Sequence, residues 1–362
     1  MPEKFIFTPA DGLTEAFVTL SSTPNADFRI EAMSLLDKFR ETAGNMRPVW
    51  LKFHLSDVTN QMPLLRPLLT EFECSCCFIG QPPVNNAHII LEAWLLPASV
   101  RQNADRFELQ NYALNFFNTP EISAKGSFDQ MDAEFSAVRE KLAALGGNIP
   151  ENLQRTWIYC RDVDNNYAPL VVARKEFFDR ENLVPETHYI TSTGIEGTSE
   201  APDRLVRMDS LALFGHLPEQ IQYLRALENL SPTNIYGVTF ERGTRIIYGD
   251  RSHSYISGTA SIDKYGNILY ERDVVKQCER VFENISALLA EADAGLADFK
   301  QATVYLRDPA DFALIEPVLQ KHLAPDALCA VVRGAVCRPG WLVEIEGIAV
   351  NSRGNSKFKP FI

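Results

Sequence analysis

The sequence predicts an α+β protein in which three related units follow one another along one chain. The first observation is a strand pattern written twice, Trp-Ile-Tyr-Cys-Arg-Asp at residues 157–162 and Thr-Val-Tyr-Leu-Arg-Asp at residues 303–308. Residues 52–57, Lys-Phe-His-Leu-Ser-Asp, supply a third copy. The second observation is an amphipathic pattern ahead of each copy. Because the intervals between the copies are unequal, we interpret them as diverged domains rather than as a solenoid.

The pattern ahead of each strand has apolar residues at helical spacing, which predicts a helix with one face for a core. These residues are Phe28, Ala32, Leu35, Leu36 and Phe39; Met131, Phe135, Val138, Leu142 and Leu145; and Cys278, Val281, Ile285, Leu288 and Leu289. A second helical stretch follows each strand, and β-rich segments at 87–96, 204–213 and 341–350 close the units. This order predicts mixed sheets with both helices on one face. We place the units at residues 1–105, 106–215 and 216–362.

Composition and charge exclude several classes of protein. The chain of 362 residues is 46% hydrophobic and 23% charged, which is enough for several cores. Its formal net charge of −12 argues against nucleic-acid binding. The apolar stretches are too short to span a membrane, and the opening residues lack the apolar stretch of a signal peptide. We therefore expect a cytoplasmic protein that binds neither nucleic acid nor membrane, with its seven cysteines reduced.

Familiar cofactor and metal motifs are not found in the sequence. Cys74, Cys76 and Cys77 form a cluster without the second pair or the histidines of a zinc site. Residues 257–261, Ser-Gly-Thr-Ala-Ser, lack the lysine of a phosphate loop, and no Gly-x-Ser-x-Gly elbow occurs. We therefore predict neither a metal nor a cofactor. An anionic substrate would need arginines placed locally, because the overall field repels it.

A comparison of two closing strands singles out one carboxyl group. Residues 205–212, Leu-Val-Arg-Met-Asp-Ser-Leu-Ala, align with residues 342–349, Leu-Val-Glu-Ile-Glu-Gly-Ile-Ala, so Glu344 stands where the second unit has Arg207. Side chains alternate along a strand, so Glu344 and Glu346 share a face, where two close carboxylates raise one pKa. A carboxyl group protonated near neutral pH can be a general acid. A solvent-facing strand with ordinary exposed glutamates is the alternative.

A set of short motifs carries a resemblance to a known family. They are Arg155-Thr156-Trp157-Ile158-Tyr159, Tyr167 with Arg174 and Phe177, Thr193-Gly194-Ile195, Tyr248-Gly249-Asp250-Arg251-Ser252, and Cys337-Arg338 ahead of Glu344. In this order, over roughly residues 150–350, they resemble the chorismatase branch of the Rid/YjgF superfamily, enzymes that release pyruvate from chorismate. Ile158, Glu196 and Asp250 depart from that branch's pattern, and these departures bear on the substrate more than on the fold.

The resemblance implies an architecture and a set of site residues. Rid/YjgF members usually assemble as trimers with ligand sites between subunits, so three fused units imply an intrachain pseudo-trimer that is a monomer in solution, with residues 1–105 as a degenerate unit. The implied reaction is general-acid protonation of chorismate or a related cyclic enol-ether carboxylic acid. The implied catalytic residues are Glu344, Glu346 and Cys337, and the implied residues for the anionic substrate are Arg155, Tyr159, Arg174, Tyr248 and Arg338. We expect Arg155, Arg174 and Glu344 to share one cleft.

Two other functions stay open at this point. One is a Rid-type deaminase of imines or enamines, although a gapless alignment places Cys329 where those enzymes have a carboxylate-binding arginine, with Arg333 as the substitute. The other is a non-catalytic binder of a small carboxylate. Single residues also have structural alternatives, since an aromatic pair such as Trp157 and Tyr159 is often core, and a buried cysteine is often an inert hydrophobe.

Overall fold

The computed structural model describes residues 2–10, 12–103, 105–118, 122 and 124–362. The strands of these residues form three mixed sheets, one for each repeated unit, which confirms the predicted α+β class. We name the units 1, 2 and 3 in chain order, and their boundaries at residues 105 and 215 stay a prediction. No helix in the described part of the chain is long and apolar enough to cross a lipid bilayer.

Each unit has the predicted leading strands, helix, repeated strand, second helix and closing strand, and one further strand before the closing strand that the sequence did not predict. Unit 1 contains β1 (Lys4–Phe7), β2 (Glu15–Ser21), α1 (Phe28–Ala43), β3 (Met46–Leu55), α2 (Val58–Leu65), β4 (Ser75–Gly80) and β5 (Ile89–Pro97). Unit 2 contains β6 (Arg101–Asn103), which joins its sheet although it precedes the predicted boundary at residue 105. It also contains β7 (Arg106–Glu108), β8 (Ala113–Asn118), α3 (Ser127–Ala144), α4 (Ile149–Asn152), β9 (Leu153–Cys160), α5 (Val163–Arg180), β10 (Thr191–Glu196) and β11 (Val206–Phe214). Unit 3 contains β12 (Ile221–Leu224), β13 (Gly243–Ile247), β14 (Ser252–Ala260), α6 (Val274–Glu291), β15 (Phe299–Leu306), α7 (Phe312–His322), β16 (Leu328–Arg333) and β17 (Val343–Asn351).

The repeated strands β3, β9 and β15 take the same place in their sheets. Each lies between a parallel edge strand, namely β4, β10 or β16, and the antiparallel closing strand, namely β5, β11 or β17. The registers make Lys52, Trp157 and Thr303 equivalent positions, opposite Glu92, Asp209 and Glu346 respectively. The repeat in the sequence is therefore a repeat in three dimensions.

The aspartates that end two of the repeated strands have a structural role. A carboxylate oxygen of Asp57 accepts a hydrogen bond from the backbone N–H of Asn60, and Asp308 accepts one from Ala310. Both are caps that satisfy free N–H groups at the start of a helical segment. The recurring aspartate thus marks the point where strand becomes helix.

The three units close into a ring around a central cavity. The parallel edge strand of each unit packs against a leading strand of the next, so that β4 meets β8, β10 meets β14 and β16 meets β2. The central cavity is lined by residues of all three units, including Trp50, Arg155 and Thr303. The chain is therefore an intrachain pseudo-trimer, and each junction between units creates a place for a cleft.

A buried ion cluster ties unit 1 to unit 3. Glu15 is fully buried and accepts hydrogen bonds from Arg251 Nη1 at 2.8 Å, His253 Nε2 at 2.8 Å and Trp94 Nε1 at 2.9 Å. Although burial opposes it, His253 and Arg251 lower the pKa of Glu15 from 4.5 to about 2. This ionised carboxylate satisfies donors from two units at once.

We expect Glu15→Gln to lower the free energy of unfolding by about 3 kcal/mol, because it removes one of the two carboxylates that pair with the buried Arg251. The folded pKa of Glu15 lies below the unfolded one, so its contribution is present above about pH 4.5 and is lost as the pH falls toward 2. Urea unfolding of the parent and of the variant between pH 3 and pH 7 measures both effects. The exposed Glu41→Gln is the matched control, and an equal loss in that variant would contradict the prediction.

Candidate active site

A cleft at the junction of units 2 and 3 collects polar side chains from both units. It contains about 480 Å³ of space not filled by protein atoms, part of it open to solvent. Its polar lining residues are Tyr167, Arg174 and Ser192 of unit 2, and Tyr236, Arg242, Cys337, Arg338 and Glu344 of unit 3. We call it the Glu344 cleft, because Glu344 is the one carboxyl group among these lining residues.

Glu344 lies on β17 with Ala260 of β14 on one side and Tyr305 of β15 on the other. Only 5% of the residue is exposed, so the alternative of a solvent-facing strand is wrong. A side chain at Gly258 would force the Glu344 carboxyl group to move, since a Cβ there would lie 2.2 Å from Glu344 Oε1. The glycine therefore makes room for the carboxyl group at the wall of the cleft.

Glu344 and Glu346 form the pair with divergent pKa values that their spacing predicts. Burial, and after it the negative charge of Glu346, raise the pKa of Glu344 to about 8. Although burial opposes it, Lys52 and Arg155 lower the pKa of Glu346. Near neutral pH the pair therefore has one ionised carboxylate at Glu346 and one neutral carboxylic acid at Glu344.

Glu346 is held by partners from all three units. Its Oε1 lies 2.7 Å from the hydroxyl of Tyr305 and 3.3 Å from Lys52 Nζ, and its Oε2 lies 2.5 Å from Arg155 Nη2. The same Arg155 Nη2 donates to Thr193 Oγ1 at 2.6 Å, and Thr193 Oγ1 also accepts the N–H of Gly258 at 2.9 Å. This network connects the ionised carboxylate to the backbone beneath Glu344.

Arg174 differs from ordinary surface arginines. It lies on α5, is only 1% exposed, and lines the Glu344 cleft. Its Nε and Nη2 atoms are buried without a hydrogen-bond partner among the described residues. Burying a guanidinium without partners costs free energy, which a bound anion would offset. The geometry therefore favours a ligand carboxylate at Arg174.

Two further arginines of unit 3 are held against aromatic rings. Arg242 donates to the carbonyl of Ser231 at 3.0 Å, and its guanidinium lies 5.3 Å from the ring centre of Tyr236. Arg338 donates to the carbonyl of Tyr236 at 2.9 Å and lies 5.4 Å from the ring centre of Trp341. With Arg174 they place three cations beside the neutral acid of Glu344, an arrangement suited to an anion with two negative charges.

Cys337 lines the same cleft but is not activated. Burial, and after it the charge of Glu344, raise the pKa of the Cys337 thiol to about 12. A thiol of this kind is protonated at neutral pH and is a poor nucleophile. The structure therefore argues against a nucleophilic role for Cys337 and places it as part of the wall.

The structure places Arg155, Tyr159 and Tyr248 outside the Glu344 cleft. Arg155 lies behind Thr193 and lines the central cavity, so the expected cleft of three residues contains only Arg174 and Glu344. Tyr159 is buried inside the ring of three units, with Lys52 Nζ 5.6 Å from the centre of its aromatic ring. Tyr248 packs against His253, Tyr112 and Phe361. Side-chain alternation gives the shared face of a strand but not the cavity that the face lines.

Sequence reasoning missed Arg242, Tyr236 and Trp341. Arg242 lies in the hairpin-rich start of unit 3, where it is preceded by Glu241 and followed three residues later by Arg245. Its 4% exposure distinguishes it from a surface arginine, and no periodicity in that segment predicts burial. Trp341 lies three residues before Glu344, and this proximity to the closing strand is the signal that would have pointed to it.

Comparisons with known proteins agree with this architecture. Residues 247–351 match the family described as Endoribonuclease L-PSP. The chain is 34% identical over 96 residues to a RutC family protein of Pyrococcus abyssi, which is 26% of this chain and 76% of that protein. It is 25% identical over 243 residues to the chorismatase of Streptomyces rapamycinicus, which is 60% of this chain and 68% of that protein.

One relative matches over a shorter segment, and one solved structure matches over nearly the whole chain. The 3-hydroxybenzoate synthase of Streptomyces hygroscopicus is 31% identical over 105 residues, which is 26% of this chain and only 31% of that protein. A crystal structure of a chorismatase has a TM-score of 0.70 at 19% identity, and the match covers 93% of this chain and 98% of that chain. At this identity the likeness shows the fold.

The chain has three fused α+β units around a central cavity, and a buried carboxylic acid lies at one junction between units. The matches point to the same class of protein, in which such units are related to one family. The chain belongs to the Rid/YjgF family, which includes the RutC proteins, and it is a chorismatase-like member of that family.

Proposed function

We propose that this protein is a chorismatase-like enzyme that releases pyruvate from chorismate or a related cyclic enol-ether carboxylic acid. The observation that carries the proposal is a buried carboxylic acid, Glu344, in one cleft with Arg174, Arg242 and Arg338. Chorismate has two carboxylates and one enol ether, so it presents the charges that these arginines would bind and the group that an acid would protonate. The 25% identity to a chorismatase supports the same assignment.

The reaction begins with the transfer of the Glu344 proton to the enol methylene carbon, which becomes the methyl group of pyruvate. The ether oxygen then shares the positive charge of an oxocarbenium ion, and the glutamate is left ionised. Water adds to this ion and the hemiketal collapses to pyruvate and a ring alcohol. Alternatively, ring elimination without added water gives pyruvate and a hydroxybenzoate. In either case the protons released return the active site to its starting state.

Four arginines and Glu346 support Glu344 in this proposal. Arg174 and Arg338 bind substrate carboxylates, and Arg242 joins them because it lines the same cleft. Glu346 acts from behind Thr193, where its negative charge favours the protonated form of Glu344, and Arg155 holds Glu346 in place. The neighbouring carboxylate favours the neutral acid of Glu344, which is the form that the first step requires.

The test is to mix purified protein with chorismate and to follow pyruvate by coupling it to lactate dehydrogenase. Pyruvate formation in proportion to enzyme supports the proposal, and chromatography of the ring product then distinguishes the two outcomes of the oxocarbenium ion. The Rid-type deaminase predicts instead ammonia release from imines of amino acids. A carboxylate binder without catalysis predicts saturable binding of chorismate with no turnover.

Gly258→Ala is expected to lower kcat/KM by about tenfold to a hundredfold. The added methyl group would displace the Glu344 carboxyl, and small displacements of a reacting group are costly. The pyruvate assay measures the effect, with circular dichroism as the check of folding. Gly295→Ala is the matched control, because a Cβ at Gly295 meets no atom within 4 Å. Unchanged turnover in Gly258→Ala would contradict the placement of the acid.

We also propose that the protein works in the cytoplasm on a small anionic carboxylate and is a monomer. The support for the monomer is that all three junctions between units are already formed within this chain. Light scattering on a sizing column at micromolar protein measures the mass. The expected mass is that of one chain, and a trimer as the sole species would contradict the proposal.

A further inference from the structure

The central cavity is a second space, distinct from the Glu344 cleft. It contains about 510 Å³ not filled by protein atoms, part of it open to solvent, and is lined by all three units. Its aromatic walls are Trp50, Trp94, Trp157, Phe17, Phe116 and Tyr255. The rings of Trp50 and Trp157 are stacked with centres 5.3 Å apart, and Phe116 continues the stack 6.2 Å from Trp50. Because these rings stack on one another, a ligand ring would contact the parts of the aromatic wall that the stack leaves uncovered.

One donor inside this cavity is unpaired. Arg155 is 2% exposed, and its Nη1 atom is buried without a hydrogen-bond partner among the described residues. Its Nη2 atom is occupied by Glu346 and Thr193. The guanidinium carbon lies 5.0 Å from the ring centre of Trp157, so the group lies against the aromatic wall. An unsatisfied buried donor costs free energy that an acceptor in the cavity would recover.

The charges of the cavity specify the ligand further. Lys52 and Arg155 supply two cations, and Glu92 and Glu346 supply two carboxylates. Lys52 Nζ lies 3.3 Å from Glu346 Oε1 and 3.7 Å from Glu92 Oε2, so these charges neutralise one another. The Glu344 cleft, by contrast, has three arginines and a neutral acid. Among the described residues, the central cavity therefore has no surplus positive charge for a dianion, and the free Arg155 Nη1 is a donor for a single carboxylate.

We propose that the central cavity is a second ligand site, which binds a small planar aromatic monocarboxylate. The ring packs against Trp50 and Trp157, and the carboxylate accepts a hydrogen bond from Arg155 Nη1. Arg155 also donates to Thr193, and Thr193 accepts the N–H of Gly258. A ligand bound to Arg155 is therefore connected through Thr193 to the backbone beneath Glu344. The site does not depend on the reaction proposed above, since it is defined by binding alone.

The four tryptophans of the chain make this site observable. Three of them line the central cavity and the fourth, Trp341, lines the Glu344 cleft. In Trp341→Phe all tryptophan emission comes from the walls of the central cavity. Benzoate added to this variant is expected to quench the emission saturably. Benzyl alcohol, which has the ring without the carboxylate, is expected to bind at least tenfold more weakly.

Substitutions in the same background assign the signal to one site. Arg155→Met is expected to remove the saturable quenching, whereas Arg174→Met in the other cleft is expected to keep it. Arg155→Lys keeps the charge but lacks the second N–H direction, and we expect its benzoate affinity to fall about tenfold. This variant tests the proposal if Arg155→Met does not fold. No quenching by millimolar benzoate would overturn the proposal. It would equally be overturned if quenching survived Arg155→Met or Arg155→Lys unchanged, or disappeared in Arg174→Met.

Discussion

Glu344→Gln is expected to lower the rate of pyruvate release by about 10²–10⁴-fold, the contribution of a positioned general acid. Glutamine keeps the size and the hydrogen-bonding oxygen of the side chain but cannot donate a proton to carbon. Because Glu344 is neutral near pH 7, this substitution removes no charge there, and we expect KM and thermal stability to change little. A fall in kcat with intact folding is therefore the expected signature.

The pH profile of the parent provides an independent check of the same residue. The pKa of Glu344 is raised to about 8, and the reaction needs the protonated form. We therefore expect kcat/KM to be level below that pH and to fall about tenfold per unit above it. Glu140→Gln, an exposed glutamate on α3, should leave both rate and profile unchanged. A parent profile that rises with pH through 8 would contradict an acid role.

Arg174→Met is expected to have the second largest effect, a fall in kcat/KM of about 10²–10³-fold. Truncating one partner of a buried charge pair costs about 2–5 kcal/mol, and each 1.4 kcal/mol is a factor of ten. The loss should appear mainly in KM if the arginine binds the substrate carboxylate equally in ground state and transition state. The pyruvate assay over a wide range of chorismate concentrations separates the two constants.

The same substitution should stabilise the protein without ligand, by about 1 kcal/mol, because it removes a buried guanidinium whose Nε and Nη2 have no partner among the residues that the structure describes. Thermal unfolding of parent and variant, with and without chorismate, measures this. Lys175→Met, the exposed neighbour on the same helix, is the control and should change neither constant. A large loss of stability in Arg174→Met would indicate a structural arginine and would contradict the binding role.

The sequence predicts the fold well because its main determinants are local. The repeated strand, the helical spacing ahead of it and the closing segment reappear as β3, β9 and β15 with their neighbours. The aspartates at the strand ends stand out because a cap needs a short acceptor side chain at one position. These signals depend on residues close together in the chain.

The candidate site depends on contacts that no local pattern encodes. Arg155 and Trp157 share a face by alternation, but only the closed ring shows that this face lines the central cavity. Glu344 and Glu346 are two residues apart, and yet they line different spaces. The pairing of α5 with unit 3, which brings Arg174 to Glu344, arises from packing between distant segments and could not be predicted from spacing.

Because the three units are fused in one chain, the residues that face the axis of the ring need not be identical. In a ring of three identical chains, any residue that faces the axis is present three times, and a lysine there would meet two more lysines. Here the equivalent positions hold Lys52, Trp157 and Thr303, so one cation stands among an indole and a hydroxyl. The carboxylates opposite them can then differ in partners and in ionisation. A lone buried lysine at such an axis is open only to a protein whose three parts are free to mutate separately.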